Sequence, residues 1–199
     1  IATGVSPRDP KIKGHEKNNV VSYVEVLNGT GQIGQKVAVI GAGGIGFDVS
    51  EYLVHENKSD NKQIEIPKWM KEWGVGDPNK TPGGLAESGP KPEAAVRQVT
   101  LMQRKKQKLG RNLGKTTGWI HRSALKMKNV QMIGNVNYEE ITSEGIMVSD
   151  GELRENPRLV SADTVVICAG QVCNRDLAQQ LDKKNIPYHL IVTFFFIFR

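Results

Sequence analysis

Cysteine is nearly absent: Cys168 and Cys173 are the only two in 199 residues. Two thiols cannot build a disulfide framework, and their spacing matches no zinc or iron–sulfur pattern. Cys168 is expected to be a small buried thiol and Cys173 an incidental one. Such usage suits a reducing compartment, so the expected location is cytoplasmic. Aromatic residues are also scarce, at 6%. The basic stretches lack the interleaved aromatics of a nucleic-acid surface, and no nucleic-acid partner is expected. No secretory signal is visible at Ile1. The apolar run Leu190-Ile-Val-Thr-Phe-Phe-Phe-Ile-Phe-Arg199 is too short to cross a bilayer as a helix, and no membrane partner is expected. That run reads as a buried strand or a foreign tail, and exposed it would be an aggregation hazard. The chain does not open on Met but in the middle of a motif, and is expected to be a fragment.

Positive charge is plentiful. Lys and Arg number 27 against 21 Asp and Glu, a formal charge of +6, with a sequence pI near 9.3. That balance favours phosphorylated ligands, nucleic acid or anionic surfaces, and the clustering of the basic residues favours a specific anion.

The strongest local pattern is Lys36-Val-Ala-Val-Ile-Gly-Ala-Gly-Gly-Ile-Gly46. A short apolar strand runs into glycines at positions 41, 43 and 46. Gly41 allows a tight exit from the strand, Gly43 lets backbone approach a pyrophosphate, and Gly46 lets the next helix pack on the strand. Phe47, Val49, Tyr52 and Leu53 follow at a spacing that suits one buried helix face. The helix start offers unpaired N–H groups to phosphate. The candidate cradle is therefore Gly41, Ala42, Gly43, Gly44, Ile45 and Gly46, at the opening of a Rossmann unit that binds a dinucleotide.

Around this unit, Ile1–Pro10 reads as the end of a strand and a rigid connection. Val20–Leu27 is ambiguous between helix and strand, and Asn28–Gly34 is a turn. The polar, proline-broken segment 56–95 reads as an insertion with one short helix over Lys68–Trp73. Trp69 and Trp73 share a face there, as core anchors rather than a base-stacking platform. Arg97–Met102 is the second strand of the unit. Trp119–Lys128 is a helix with Trp119, Ile120, Ala124 and Met127 inward, and Val130–Ile133 is a strand. Three short strands near 135–141, 145–148 and 158–160 form an antiparallel excursion. Thr164–Ala169 is a buried strand ending at Gly170, and Arg175–Lys184 a helix. Strands alternate with helices, which predicts an α/β class with a Rossmann-like, mainly parallel sheet.

The end of the second strand selects the cofactor. A carboxylate there binds the free ribose 2′-OH of NAD, whereas an arginine accepts the 2′-phosphate of NADP. The usual distance from the glycines is about 20 residues, and here the insertion lengthens it. The strand ends in Gln103, Arg104 and Lys105, with no carboxylate. A guanidinium grips phosphate through paired charge-assisted bonds, so this end predicts NADPH. Gly110-Arg-Asn-Leu-Gly114-Lys115-Thr116 falls one residue short of a P-loop and no apolar strand immediately precedes it. Lys115 is a candidate second phosphate contact on a loop that is nearly as well read as structural.

Four stretches carry a family resemblance: Gly41-Ala-Gly-Gly-Ile-Gly-Phe-Asp48, Leu101-Met-Gln-Arg-Lys105, Leu113-Gly-Lys-Thr-Thr-Gly-Trp-Ile-His-Arg122 and Val165-Val-Ile-Cys-Ala-Gly-Gln171. Together they resemble the pyridine-nucleotide region of bacterial NADPH-dependent 2,4-dienoyl-CoA reductase, of the trimethylamine dehydrogenase group. The resemblance runs to about His189. It implies a two-dinucleotide-domain flavoprotein in which NADPH reduces FAD. Electrons then pass through a 4Fe–4S cluster to FMN, which reduces a dienoyl-CoA in unsaturated fatty acid degradation. It also implies that Ala169 and Gly170 close the cofactor site with their backbone. Residues 1–16 would be a remnant of the FAD domain and the crossover, 17–187 the NADPH domain, and 188–199 a truncated return or foreign tail. The chain departs from the family at Val172 and Cys173, where Glu-Pro is expected, and after Leu190-Ile191. The barrel, the cluster cysteines and the first FAD-binding glycine motif are absent. Such a fragment would bind NADPH without turning over substrate alone. No catalytic acid or base is named, and His15, His55, His121 and His189 read as surface or packing residues. Alternatives are a non-catalytic dinucleotide-binding module, or another enoate or amine flavoenzyme.

Overall fold

The computed structural model describes residues 1–55 and 66–191. The expectation for 192–199, and part of that for the insertion, lie outside the described residues.

The first strand, β1, is Val5–Pro7. The ambiguous segment resolves into both states: β2 (Val20–Ser22) turns straight into helix α1 (Tyr23–Leu27). Ser22 is the hinge. Its Oγ accepts from the Glu25 N–H at 3.3 Å, and its own N–H donates to Glu25 Oε2 at 2.7 Å. The Ser22 N–H holds the Glu25 carboxyl below its ordinary range.

Strand β3 (Lys36–Ile40) follows, then α2 (Gly44–Val54), α3 (Ile66–Trp73), β4 (Gln98–Met102), α4 (Gly118–Met127) and β5 (Gln131–Ile133). An antiparallel meander comes next: β6 (Val136–Thr142), β7 (Gly145–Asp150) and β8 (Glu155–Ser161). The chain then adds β9 (Thr164–Ile167), β10 (Gln171–Cys173) and α5 (Asp176–Lys183). The main sheet runs β2-β9-β3-β4-β5 and every pair in it is parallel. Strands β1 and β10 form a separate antiparallel ribbon, which gives the strand end expected in Ile1–Pro10 a partner that no local pattern predicts. The α/β class with a mainly parallel sheet and an antiparallel excursion is the observed architecture.

Strand β3 is apolar on both faces, as a central parallel strand must be. Val37 and Val39 point with Val99, Leu101 and Val166 into a core shared with Phe47, Val49, Leu53 and Leu125 of the helices. Ala38 and Ile40 point the other way, with Met102 and Val165, onto Ile141, Ile146 and Val148 of the meander. Three layers result: helices, parallel sheet, antiparallel sheet. Phe47 and Leu53 are almost wholly buried, and each such side chain stabilises the fold by about 1.5–3 kcal/mol relative to exposure.

Two packing expectations need correction. Helix α3 buries no residue fully, and Trp69 is 45% exposed. The indoles pack on each other, with centroids 6.3 Å apart, rather than anchoring a core. The segment is tied down instead by Lys128, whose side chain is 4% exposed. Its Nζ lies 2.7 Å from Glu72 Oε1 and donates to Glu93 O at 3.1 Å. In α4 the inward residues are Gly118, Ala124 and Leu125, while Trp119 is 57% exposed. Arg122 of this helix and Lys128 at its C-cap donate to the backbone carbonyls of Gly110 and Glu93.

Candidate functional site

Strand order reverses between β9 and β3, since β4 follows β3 on one side and β9 flanks it on the other. In open α/β sheets the crevice at that point, beyond the carboxyl ends of the strands, is where ligands sit. Here Gly41 leaves β3 with φ +106°. Its N–H donates to Met102 O at 2.9 Å, and the Cys168 N–H donates to Ile40 O at 2.8 Å. A Cβ on Gly41 would lie 2.4 Å from Cys168 O, and one on Gly46 would lie 1.7 Å from Gly41 O. Both glycines are thus demanded by the protein's own packing. Gly43 and Gly44 are different: a Cβ on either would meet nothing within 4 Å. Gly43 caps α2 without any side-chain hydrogen bond, so the first-turn N–H groups of Gly44, Ile45 and Gly46 face that open space with no acceptor inside the helix. Ala42 packs on the edge of the helix-side core.

The basic turn lies beyond β4. Gln103 is 8% exposed, and its amide is used internally: Nε2 donates to Lys105 O at 3.0 Å and also to Gln107 O. The Asn135 N–H donates to Lys105 O at 3.2 Å, and the Val136 N–H to Gln103 O at 3.3 Å. Gln103 is therefore a clamp under the turn, and Arg104 and Lys105 stand exposed above it. The loop continues across α2: a Cβ on Gly110 would lie 2.7 Å from Phe47 Cζ, and Arg122 Nη1 donates to Gly110 O at 3.0 Å. Lys115 is exposed on that loop, and among the described residues no hydrogen bond or ion pair ties it to the glycine turn. Arg104, Lys105, Lys106, Lys108, Arg111 and Lys115 make no ion pair among the described residues. Unpaired cations around an empty-sided helix start fit a polyanionic dinucleotide.

On the other side, Ala169 and Gly170 follow β9, Gly170 with φ +102°. Two residues that sequence reasoning missed join the site here. The Arg8 N–H donates to Gly170 O at 2.9 Å, and its Nη2 donates to Gln171 O at 3.3 Å. Tyr138 of β6 carries a buried hydroxyl without a hydrogen-bond partner, two residues past Val136, whose N–H donates to Gln103 O. Neither carries a sequence signal, because both arrive by long-range packing. Cys168, at the end of β9, is buried, and that burial pushes its thiol up to about 12. His121 faces Glu51 at 3.3 Å and His15 faces Asp9 at 3.2 Å. Among the described residues no group of three His, Cys, Asp or Glu side chains is placed to hold a metal. No helix among them is long and apolar enough to cross a membrane. A groove of about 330 Å³ lies at the opposite, amino ends of β3, β4 and β5, lined by Lys36, Gln98, Gln131 and Arg158.

Residues 1–193 match the family model of the pyridine nucleotide-disulphide oxidoreductases. The chain belongs to that family. Membership places this Rossmann unit among NAD(P)-dependent flavoprotein oxidoreductases, whose cofactors are FAD and a nicotinamide dinucleotide. A curated relative is a metal reductase of Desulforamulus reducens, 26% identical over 184 residues, which cover 92% of this chain and 25% of the relative. Among solved structures, a 2-naphthoyl-CoA reductase in complex with 2-naphthoyl-CoA superposes with a TM-score of 0.66 at 22% identity, over 94% of this chain and 22% of that one. Thioredoxin reductase of T. acidophilum gives 0.57 at 17% identity, over 90% of this chain and 46% of that one. At such identities the structural likeness is one of fold. The chain spans about a quarter of the length of the curated relative.

Proposed function

We propose that this chain binds NADPH as the pyridine-nucleotide unit of a multidomain flavoprotein oxidoreductase. One observation carries the reading: a glycine turn open to a pyrophosphate stands beside a basic turn with no carboxylate. Gly43, Gly44 and Ile45 offer backbone and first-turn N–H groups to the pyrophosphate, with Ala42 beside them, while Gly41 and Gly46 fix the turn's shape. Arg104 holds the 2′-phosphate of the adenosine ribose, and Lys105 adds charge. Gln103 keeps that turn in register from beneath. Lys115 is a second phosphate contact. Ala169 and Gly170 flank the far side of the crevice with backbone.

When bound, the nicotinamide supplies hydride to a flavin, and the protein's part is position and electrostatics. In this reading residues 17–187 form the NADPH domain. The preceding residues, held to that domain through the β1–β10 ribbon, lead towards an FAD domain. The finer assignment is reduction of a 2,4-dienoyl-CoA by a protein that also carries FMN and a 4Fe–4S cluster on other segments. It rests on the resemblance of the four motifs, and a CoA-thioester reductase stands among the fold neighbours.

Titration of the purified chain with NADPH and NADH, followed by nicotinamide fluorescence, tests the cofactor. At least roughly tenfold tighter NADPH binding is expected, the value of one hydrogen-bonded charge pair. Equal affinities overturn the proposal.

A further inference from the structure

Among the described residues, two buried side-chain polar atoms lack a hydrogen-bond partner: Arg97 Nε and the Tyr138 hydroxyl. Arg97 still donates through Nη1 to Leu53 O at 3.3 Å. Tyr138 has no second polar group to use. Its ring packs in the apolar layer between the parallel sheet and the meander, with Ile133 and Ala169 against the same cluster. Buried polar atoms without partners are uncommon and call for a reason.

The surroundings supply one. The start of β6 is bonded to both neighbours of Arg104, the Val136 N–H donating to Gln103 O at 3.3 Å and the Asn135 N–H to Lys105 O at 3.2 Å, and the Gly41 N–H and the Arg104 guanidinium, one from each half of the candidate site, act on the Tyr138 hydroxyl. The Gly41 N–H is already engaged with Met102 O at 2.9 Å. Burial drives the phenol above its ordinary range, with Arg104 and Gly41 opposing that drift. The hydroxyl therefore stays neutral and keeps acceptor lone pairs on its oxygen. The neighbour with N–H groups to spare is Arg104, exposed and without an ion pair among the described residues.

We infer that Tyr138 is a positioning residue for the adenosine end of the site. Its hydroxyl oxygen accepts a hydrogen bond from Arg104 when the phosphate-bearing dinucleotide binds, and so fixes the guanidinium edge that faces the 2′-phosphate. This rests on the NADPH reading above. An exposed arginine loses side-chain freedom on gripping a phosphate, and a fixed acceptor at its flank reduces that loss. The hydroxyl destabilises the free protein slightly and recovers its partner in the complex.

The test compares Tyr138→Phe with the unsubstituted chain. Three quantities are measured: the melting midpoint of the free protein, the NADPH affinity and the NADH affinity. The variant should melt at the same temperature or higher, bind NADPH roughly 5–10-fold more weakly, and bind NADH unchanged. In an Arg104→Ala background, Tyr138→Phe should cause no further loss of NADPH affinity. An unchanged NADPH affinity, or equal losses for both cofactors, overturns the inference while the NADPH reading survives. An unsubstituted chain that does not prefer NADPH overturns both.

Discussion

Replacing Gly43 by Ala and, separately, Gly46 by Ala separates what the fold needs from what a ligand needs. The two glycines lie three residues apart, yet they face different surroundings. At Gly43 the backbone is extended, with φ −81° and ψ −172°, and the added methyl meets nothing within 4 Å. Alanine is a poorer N-cap than glycine by a few tenths of a kcal/mol or more, and it gains about 0.4–1 kcal/mol through the unfolded state. These nearly cancel, so the melting midpoint should move by less than about 2 °C. At Gly46 the methyl would sit 1.7 Å from Gly41 O. The helix would have to lift off the turn, at a cost of roughly 3 kcal/mol or more. Binding isolates the ligand's share at Gly43, where the fold is left intact. The Gly43→Ala methyl fills the space assigned to the pyrophosphate, and losing one or two N–H contacts to an anion costs about 1.5–3 kcal/mol, roughly a 10–100-fold weaker NADPH affinity. Thermal melts and fluorescence titrations of both variants decide the matter. A Gly43→Ala protein that melts normally and binds NADPH normally would refute the assignment of that open space to a cofactor.

Arg104→Ala should weaken NADPH binding by about 1.5–3 kcal/mol and leave NADH binding nearly unchanged; titration with both cofactors checks it, and equal losses would remove the 2′-phosphate role. Lys128→Ala should cost about 3 kcal/mol in urea unfolding, because it strands the largely buried Glu72 carboxylate; a loss below about 1 kcal/mol would show that the carboxylate simply turns to solvent. Cys168 should resist iodoacetamide at pH 8.5 in the native protein while Cys173 reacts, since burial pushes the Cys168 thiol up to about 12. A raised folded-state thiol pKa stabilises the fold below the ordinary thiol range, and that contribution is lost as pH rises towards 12. Equal labelling of the two thiols would contradict the burial of Cys168.

Much of this site was legible because local chemistry fixed it. The strand into Gly41, the helix behind Gly46 and the basic end of β4 each follow from residue types at short spacing. The segment around Ser22 stayed ambiguous because its apolar residues fit either period, although Ser22 and Glu25 stand three apart, the spacing of the capping box that decides it. What sequence could not supply came from contacts across the chain. The β1–β10 ribbon joins Val5 to Cys173, a pairing no local pattern encodes. Trp69 and Trp73 suggested a core, yet α3 buries no residue fully, and the buried Lys128 at the C-cap of α4 reaches Glu72 and Glu93 of the insertion. Gln103 was grouped with the cofactor contacts, whereas its amide is committed to two backbone carbonyls of its own turn. Tyr138 reached the glycine turn only because the meander folds across the second face of the sheet.

The shortest route to the central claim removes the nicotinamide altogether. Calorimetric titration of the chain with 2′,5′-ADP and with 5′-AMP isolates the adenosine phosphate that Arg104 is proposed to hold. The account predicts that 2′,5′-ADP binds at least about ten times more tightly, and that raising the salt concentration erodes the advantage. Indistinguishable binding of the two nucleotides would contradict it.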